Sequence, residues 1–168
     1  MTLLTIDIRP ATVEDGEAIA NVHAQAWQQT YAGIIPHQSL LSMINRRDGQ
    51  WWVRAVRRGT CVMVVEMAEE VVGYVTYGLN RARSLPQDGE IYELYLLPEY
   101  QGIGLGKRMF DAARKDLHRH GCQGLVVWTL DENINANAFY SNMGGKDVAE
   151  GHEVFSGKSI KKIAYVWR

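Results

Sequence analysis

The chain has 168 residues, 46% of them hydrophobic and 22% charged, with a formal net charge of -1; this is enough to bury the core of one domain spanning 1–168, and bulk charge gives no case for nucleic acid. Cys61 and Cys122 sit in no metal-ligand spacing, so neither a metal site nor a disulfide framework is expected. No apolar run approaches the roughly 20 residues of a membrane span, and the early acids of MTLLTIDIRPATVEDGEA are unlike a secretion leader, so a cytoplasmic location without membrane partners is expected.

The elements follow from period. TIDIRP alternates and reads as a strand. TVEDGEAIANVHAQAWQQTY predicts a helix with Thr12 as its cap, acids Glu14, Asp15 and Glu17 at its positive end, and Ile19, Val22, Ala26 and Trp27 near one face. Gly33 and Pro36 break AGIIPHQSLLSMI before a second short helix, and DGQWWVRAVRRG predicts a third, ended by Gly59. CVMVVEM and VVGYVTYGL are β-branched runs around AEE, a hairpin. RARSLPQDG is a loop, and EIYELYLL a strand ended by Pro98. GLGKRMFDAARKDLHRHG predicts a helix whose apolar face is Leu105, Met109, Ala112, Ala113 and Leu117, stopped by Gly121. GLVVWTL reads as a buried strand, NINANAFYSNMGG as a short helix, and GHEVFSG with KSIKKIAYVWR as a closing hairpin. The sum is a mixed α/β domain.

QGIGLG at 101–106, followed by Lys107 and Arg108, falls between a strand and a long helix. Such a junction points free N–H groups and the positive end of the helix dipole at an anion, and glycines let the main chain come close. Two common phosphate fingerprints fail. A Walker loop would need Gly at 101 and Ser or Thr at 108, where Gln101 and Arg108 stand; a dinucleotide loop fails at Lys107 or Met109. A turn that only reverses the chain stays open on the loop alone.

The flanks narrow it. ELYLLPEYQGIGLGKRMF resembles the coenzyme-A signature of the GNAT superfamily of N-acyltransferases in Gln101, Gly104 and Gly106, and NINANAFYSNMGG resembles its second segment in Asn133, Ala136, Phe139 and Tyr140. Gly144-Gly145 departs from the Gly-Phe that often ends that segment. The resemblance covers nearly the whole chain in element order. It implies a central mixed, mostly antiparallel sheet of about seven strands flanked by helices. It also implies acetyl-CoA as cosubstrate: Gln101 and Gly102, Ile103, Gly104, Leu105, Gly106 and Lys107 would hold its pyrophosphate, with the N–H groups of 102–107 as donors. The backbone of Leu94, Tyr95 and Leu96, on a strand that splays from its neighbour, would take the pantetheine amides, and Asn133 would contact the coenzyme.

Amine attack on a thioester needs a base, an N–H donor for the oxyanion and an acid for sulfur. The resemblance assigns the acid to Tyr140 and aligns Glu90 with the base of some members; Glu93 competes. Strand alternation puts the two glutamates on opposite faces unless a bulge intervenes. Another branch carries its glutamate on the next strand, where this chain has Trp128. Trp27 and Tyr31, one helical turn apart, could wall the acceptor pocket or be core packing. His23 and His37 read as ordinary polar residues, and Arg46, Arg47, Arg54, Arg57 and Arg58 as a solvated helix face. The reading is an acetyl transfer to a small primary amine in a ternary complex, without metal or nucleic acid. A longer acyl donor, a protein acceptor, a silent coenzyme-binding sensor and a homodimer stay open.

Overall fold

A computed structural model describes residues 5–168; Met1–Leu4, the start of the stretch read as unlike a leader, lie outside them. Seven strands form one sheet: β1 (Ile6–Pro10), β2 (Cys61–Met67), β3 (Glu70–Leu79), β4 (Gly89–Leu96), β5 (Leu125–Leu130), β6 (Lys146–Phe155) and β7 (Lys158–Trp167), in the order β1-β2-β3-β4-β5-β7-β6. Every pairing is antiparallel except β4 with β5. This is the mixed, mostly antiparallel seven-stranded sheet expected. Five helices flank it: α1 (Gly16–Tyr31), α2 (His37–Arg46), α3 (Gly49–Arg57), α4 (Leu105–Arg119) and α5 (Ile134–Asn142). None is long and apolar enough to cross a membrane.

Local chemistry explains the boundaries, with two departures. The first is a single 3-10 turn, Val13–Asp15, ahead of α1; Thr12 is its N-cap, and Asp15 completes a capping box. Its carboxylate accepts the Thr12 N–H (2.7 Å) and both ends of the Arg9 guanidinium (2.8 and 2.9 Å). Asp48 caps α3 by accepting the Trp51 N–H at 2.9 Å. Gly59, Gly121 and Gly144 stop α3, α4 and α5 at positive φ, as read. The second departure is β6, which starts at Lys146 rather than near Gly151. It is an edge strand with a bulge between Asp147 and Ala149 that leaves Val148 exposed, so its sequence carries no clean alternation.

The core is one large cluster through β2, β3, α1, α3 and α4. On α4 the buried set is Leu105, Met109, Ala113 and Leu117 with Phe110, while Ala112 is only half-buried. A second cluster joins Trp27, Tyr31, Ile35 and Leu40 to Leu130 and Ile160. The β6–β7 turn closes on this region: Ser156 bonds Ser39 through hydroxyls, and Lys158 Nζ donates to the Ile34 carbonyl at 3.3 Å. The second cluster thereby roofs a hollow above β4 and β5.

Candidate active site

β4 and β5 pair only over Gly89–Ile91 with Leu125–Val127; beyond that β5 continues with β7 and the two strands part. Parity decides which backbone groups the gap receives. The Leu97 N–H bonds the Val72 carbonyl (2.8 Å), and the ladder with β3 then makes Tyr95–Tyr74 a hydrogen-bonded pair and turns the amides of Leu94 and Leu96 to the open side. Leu94 thus turns its N–H and carbonyl, and Leu96 its N–H, to the open side. Tyr95 does not: its main chain is committed to β3, and it serves the site through its ring. Gln101 is used within the chain, donating from Nε2 to the Leu96 carbonyl at 3.3 Å, which fixes the strand end relative to the loop.

The glycine loop follows. Gly102 and Gly104 have φ of +79° and +89°, and a Cβ at either would meet no atom within 4 Å. The first main-chain bond of α4 runs from the Arg108 N–H to the Gly104 carbonyl (3.3 Å), so the N–H groups of the preceding residues face outward. Ile103 is exposed; Leu105 is buried and anchors α4. Gly106 has a different reason: a Cβ there would press on the Phe139 ring at 3.2 Å, so it sets how closely α4 and α5 approach. Lys107 bridges to Asp111 at 3.1 Å on the exposed surface. A dipole-positive helix end behind free N–H groups, open space, and unpaired strand amides beside it fit an extended ligand with phosphates at one end and amides at the other.

On the α1–α3 side of the sheet lies a cavity of about 700 Å³. Its lining takes Glu93 and Tyr95 from β4 and Trp128, Thr129 and Leu130 from β5, the residues on either side of the gap. Trp27 and Tyr31 both line it, and the Tyr31 hydroxyl is bonded to that of Tyr95. Burial pushes the Tyr31 phenol up to about 12. Both glutamates line it too. The β3–β4 register shifts between Thr76–Glu93 and Tyr77–Ile91, so Tyr92 is an extra residue, and the bulge brings Glu90 and Glu93 to one face.

Their surroundings differ. Glu90 is buried, and both its oxygens are held by Arg81: Oε1 accepts the main-chain N–H (2.9 Å) and Oε2 the guanidinium (3.0 Å), while that guanidinium lies over the Tyr92 ring at 4.0 Å. Glu93, with a side chain 10% exposed, is paired with Arg47. Burial raises its pKa above the ordinary carboxylate value, and Arg47 opposes the rise. The expectation of a solvated arginine face therefore fails at Arg47. Placed just past α2, it turns inward because Glu93 and three indoles receive it; its guanidinium lies 4.6, 5.8 and 5.9 Å from the rings of Trp51, Trp52 and Trp27. Arg46, Arg54 and Arg57 are exposed as expected, and Arg58 is exposed at the cavity mouth. His37 is exposed, but His23 is not an ordinary polar residue: it is fully buried between Trp27, Trp52 and Tyr74, neither ring nitrogen has a partner, and burial lowers its pKa to about 3.

Tyr140 sits across the sheet on α5, packed on Phe110, Phe139, Tyr165 and Trp167. Burial, reinforced by the nearby Tyr31 phenol, raises its pKa and keeps it protonated. Asn133 caps α5 by accepting the Ala136 N–H (3.2 Å). Asn137 was missed in the sequence. Its Oδ1 accepts from Thr129 (3.0 Å) and Tyr165 (2.7 Å), and its Nδ2 donates to the carbonyls of Leu130 (3.1 Å) and Asn133 (2.8 Å), tying α5 to β5 and β7. Three asparagines within NINAN were the only signal. Tyr140 thus packs on the α4 side of the sheet, and the two glutamates line the cavity on the α1–α3 side.

Known proteins share this fold. The sequence pattern of the acetyltransferase (GNAT) family matches residues 20–144. An uncharacterized N-acetyltransferase of Bacillus subtilis, YuaI, is 30% identical over 162 residues, covering 96% of this chain and 92% of its own. The spermidine N(1)-acetyltransferase of Thermoplasma acidophilum is 24% identical over 144 residues, 85% of this chain and 89% of that one. In fold, the crystal structure of a PaiA N-acetyltransferase from the same organism, in complex with coenzyme A, superposes with a TM-score of 0.76 at 21% identity over 94% of this chain and 98% of that one. With the gap, the glycine loop and the second motif in place, the chain belongs to the acetyltransferase (GNAT) family and is an acyl-CoA-dependent N-acetyltransferase.

Proposed function

We propose that the enzyme moves an acetyl group from acetyl-CoA to a small primary amine by direct attack in a ternary complex. The observation that carries this reading is the β4–β5 gap, which has the glycine loop beyond one strand end and the acid-lined aromatic cavity across it. Leu94 and Leu96 would hold the pantetheine amides, the N–H groups of 102–107 with Gly102 and Gly104 the pyrophosphate, and Asn133 would contact the coenzyme beside α5. The coenzyme supplies an acetyl thioester. A relative named for spermidine supports a small amine as the acceptor class.

An alkylammonium with a pKa near ~10 must lose a proton before its nitrogen bonds the carbonyl carbon. Glu93 is the group we assign to this task, because burial makes it a stronger base than an exposed carboxylate. Glu90, on the same face, is the second candidate; an arginine meets both oxygens of each glutamate, but Glu90 also accepts the main-chain N–H of Arg81. As the N–C bond forms and the C–S bond breaks, Tyr140 donates its phenolic proton to the leaving sulfur, and the second proton shed by the acylated nitrogen restores the phenol through solvent. The free N–H groups of β4 after the bulge are the donors for the carbonyl oxygen. Steady thiol release from acetyl-CoA that depends on added amine, with the acetylated amine seen by mass spectrometry, tests the reading. Calorimetric binding of NADH or ATP without binding of acetyl-CoA would sink it, and acetyl-CoA binding without turnover would make the protein a sensor.

A further inference from the structure

The cavity's acids are already matched. Glu93 pairs with Arg47, Glu90 with Arg81 at 3.0 Å and Glu153 with Lys162 at 2.9 Å. Arg58 lines the same cavity and has no acidic partner within 4.0 Å among the described residues. The lining therefore holds one cation more than it holds acids. Position matters as well as count. Arg58 lies between α3 and β2, Arg81 between β3 and β4, and both connections leave the same end of the sheet, where Cys61 faces Tyr77 and Gly78 faces Glu90. The Arg81 side chain is 67% exposed although its carboxylate partner is almost fully buried. Two guanidiniums thus line the cavity from the same end of the sheet, and the acid bonded to one of them, Glu90, is recessed.

A polycation entering here meets no unpaired carboxylate and is repelled by Arg58. At the gap it could gain an acid only by breaking a pair whose carboxylate is nine-tenths buried, Glu90 with Arg81 or Glu93 with Arg47, which costs more than an exposed pair returns; the half-exposed Glu153 is held by Lys162 on the β6–β7 side. A molecule with an amine at one end and a carboxylate at the other faces the same paired Glu93 at the gap, but its carboxylate gains the free guanidinium donors of Arg58 instead of being repelled by them. Resting on the reading that this cavity admits the acceptor, we infer that the acceptor is an amine that also carries a carboxylate, of the amino-acid class, with Arg58 as the residue that selects it.

The test compares kcat/KM for pairs that differ only in the carboxylate: L-lysine with cadaverine, and L-phenylalanine with 2-phenylethylamine, with spermidine as the polycation. In at least one pair the carboxylated member should be favoured by about 10-fold or more, the scale of one charge-assisted contact. Arg58→Gln should erase most of that ratio, and Arg58→Lys should restore part of it. Preference for cadaverine or spermidine over every amino acid, or an unchanged ratio in Arg58→Gln, overturns the inference while leaving amine acetylation intact. Turnover with none of these amines, while acetyl-CoA still binds, overturns the amine-acceptor reading and this inference with it.

Discussion

Gly104 and Gly121 mark the two ends of α4 and make a matched pair. Their φ values are +89° and +92°, and a Cβ at either meets no atom within 4 Å. Valine at either position has to adopt a left-handed backbone, which costs about 1–2 kcal/mol. Gly104→Val and Gly121→Val should therefore lose similar stability in urea unfolding. Binding should separate them. Gly104 caps the helix end whose N–H groups are free, whereas Gly121 ends it on the far side. Losing two charge-assisted bonds at ~1.5–3 kcal/mol each removes about 3 kcal/mol or more. That is roughly a 100-fold rise in Kd for acetyl-CoA. Calorimetry on both folded variants measures it. Equal affinity in the two would show that the loop only reverses the chain.

Tyr140→Phe should lower kcat by roughly 10- to 10³-fold with little change in acetyl-CoA affinity, because the packed ring remains; a kcat within twofold of the parent, where chemistry limits turnover, would remove the phenol from the mechanism. Glu93→Gln should cost roughly 10²–10⁴ in rate near neutral pH and less at high pH, and it should abolish the rise in rate as pH climbs through the raised Glu93 pKa. Glu90→Gln should mainly loosen Arg81, and the reverse ranking would transfer the base to Glu90. For His23, the folded pKa of about 3 lies below the ordinary 6.5. Between those values the unfolded chain binds a proton that the folded chain refuses, so stability falls as pH drops through that window. His23→Phe should remove about 2–3 kcal/mol of that loss at pH ~4.5, at roughly 1.36 kcal/mol per pH unit; parallel urea midpoints from pH 7 to 4.5 in parent and variant would refute it.

Much of the fold was legible because local signals agreed. The Ser156-Gly157 turn shows itself by its glycine, and the β4-loop-α4 junction by a strand, three glycines and a helical stripe. The Ala68-Glu69 turn takes the same positive φ without glycine or asparagine, so only the flanking β-branched runs revealed that hairpin. The exposed edge strand β6 carried little pattern to read. The site divides in the same way. Gly104 and Tyr140 lie in local motifs. The bulge at Tyr92, which unites Glu90 with Glu93, is a property of pairing with β3 and leaves no mark in EIYELYLL. Arg47 sits in a run of polar residues, and only the tertiary arrangement of Trp27, Trp51, Trp52 and Glu93 draws it inward.

The central claim is that acetyl-CoA lies in the gap between β4 and β5, bonded to the outward amides of β4. Hydrogen exchange followed by NMR, with and without saturating acetyl-CoA, tests it residue by residue. The Leu94 and Leu96 amides should exchange fast in the free protein and become protected on binding, together with amides in 102–107. The Tyr95 amide, committed to β3, should be slow in both states. Binding that leaves Leu94 and Leu96 unprotected would contradict the account.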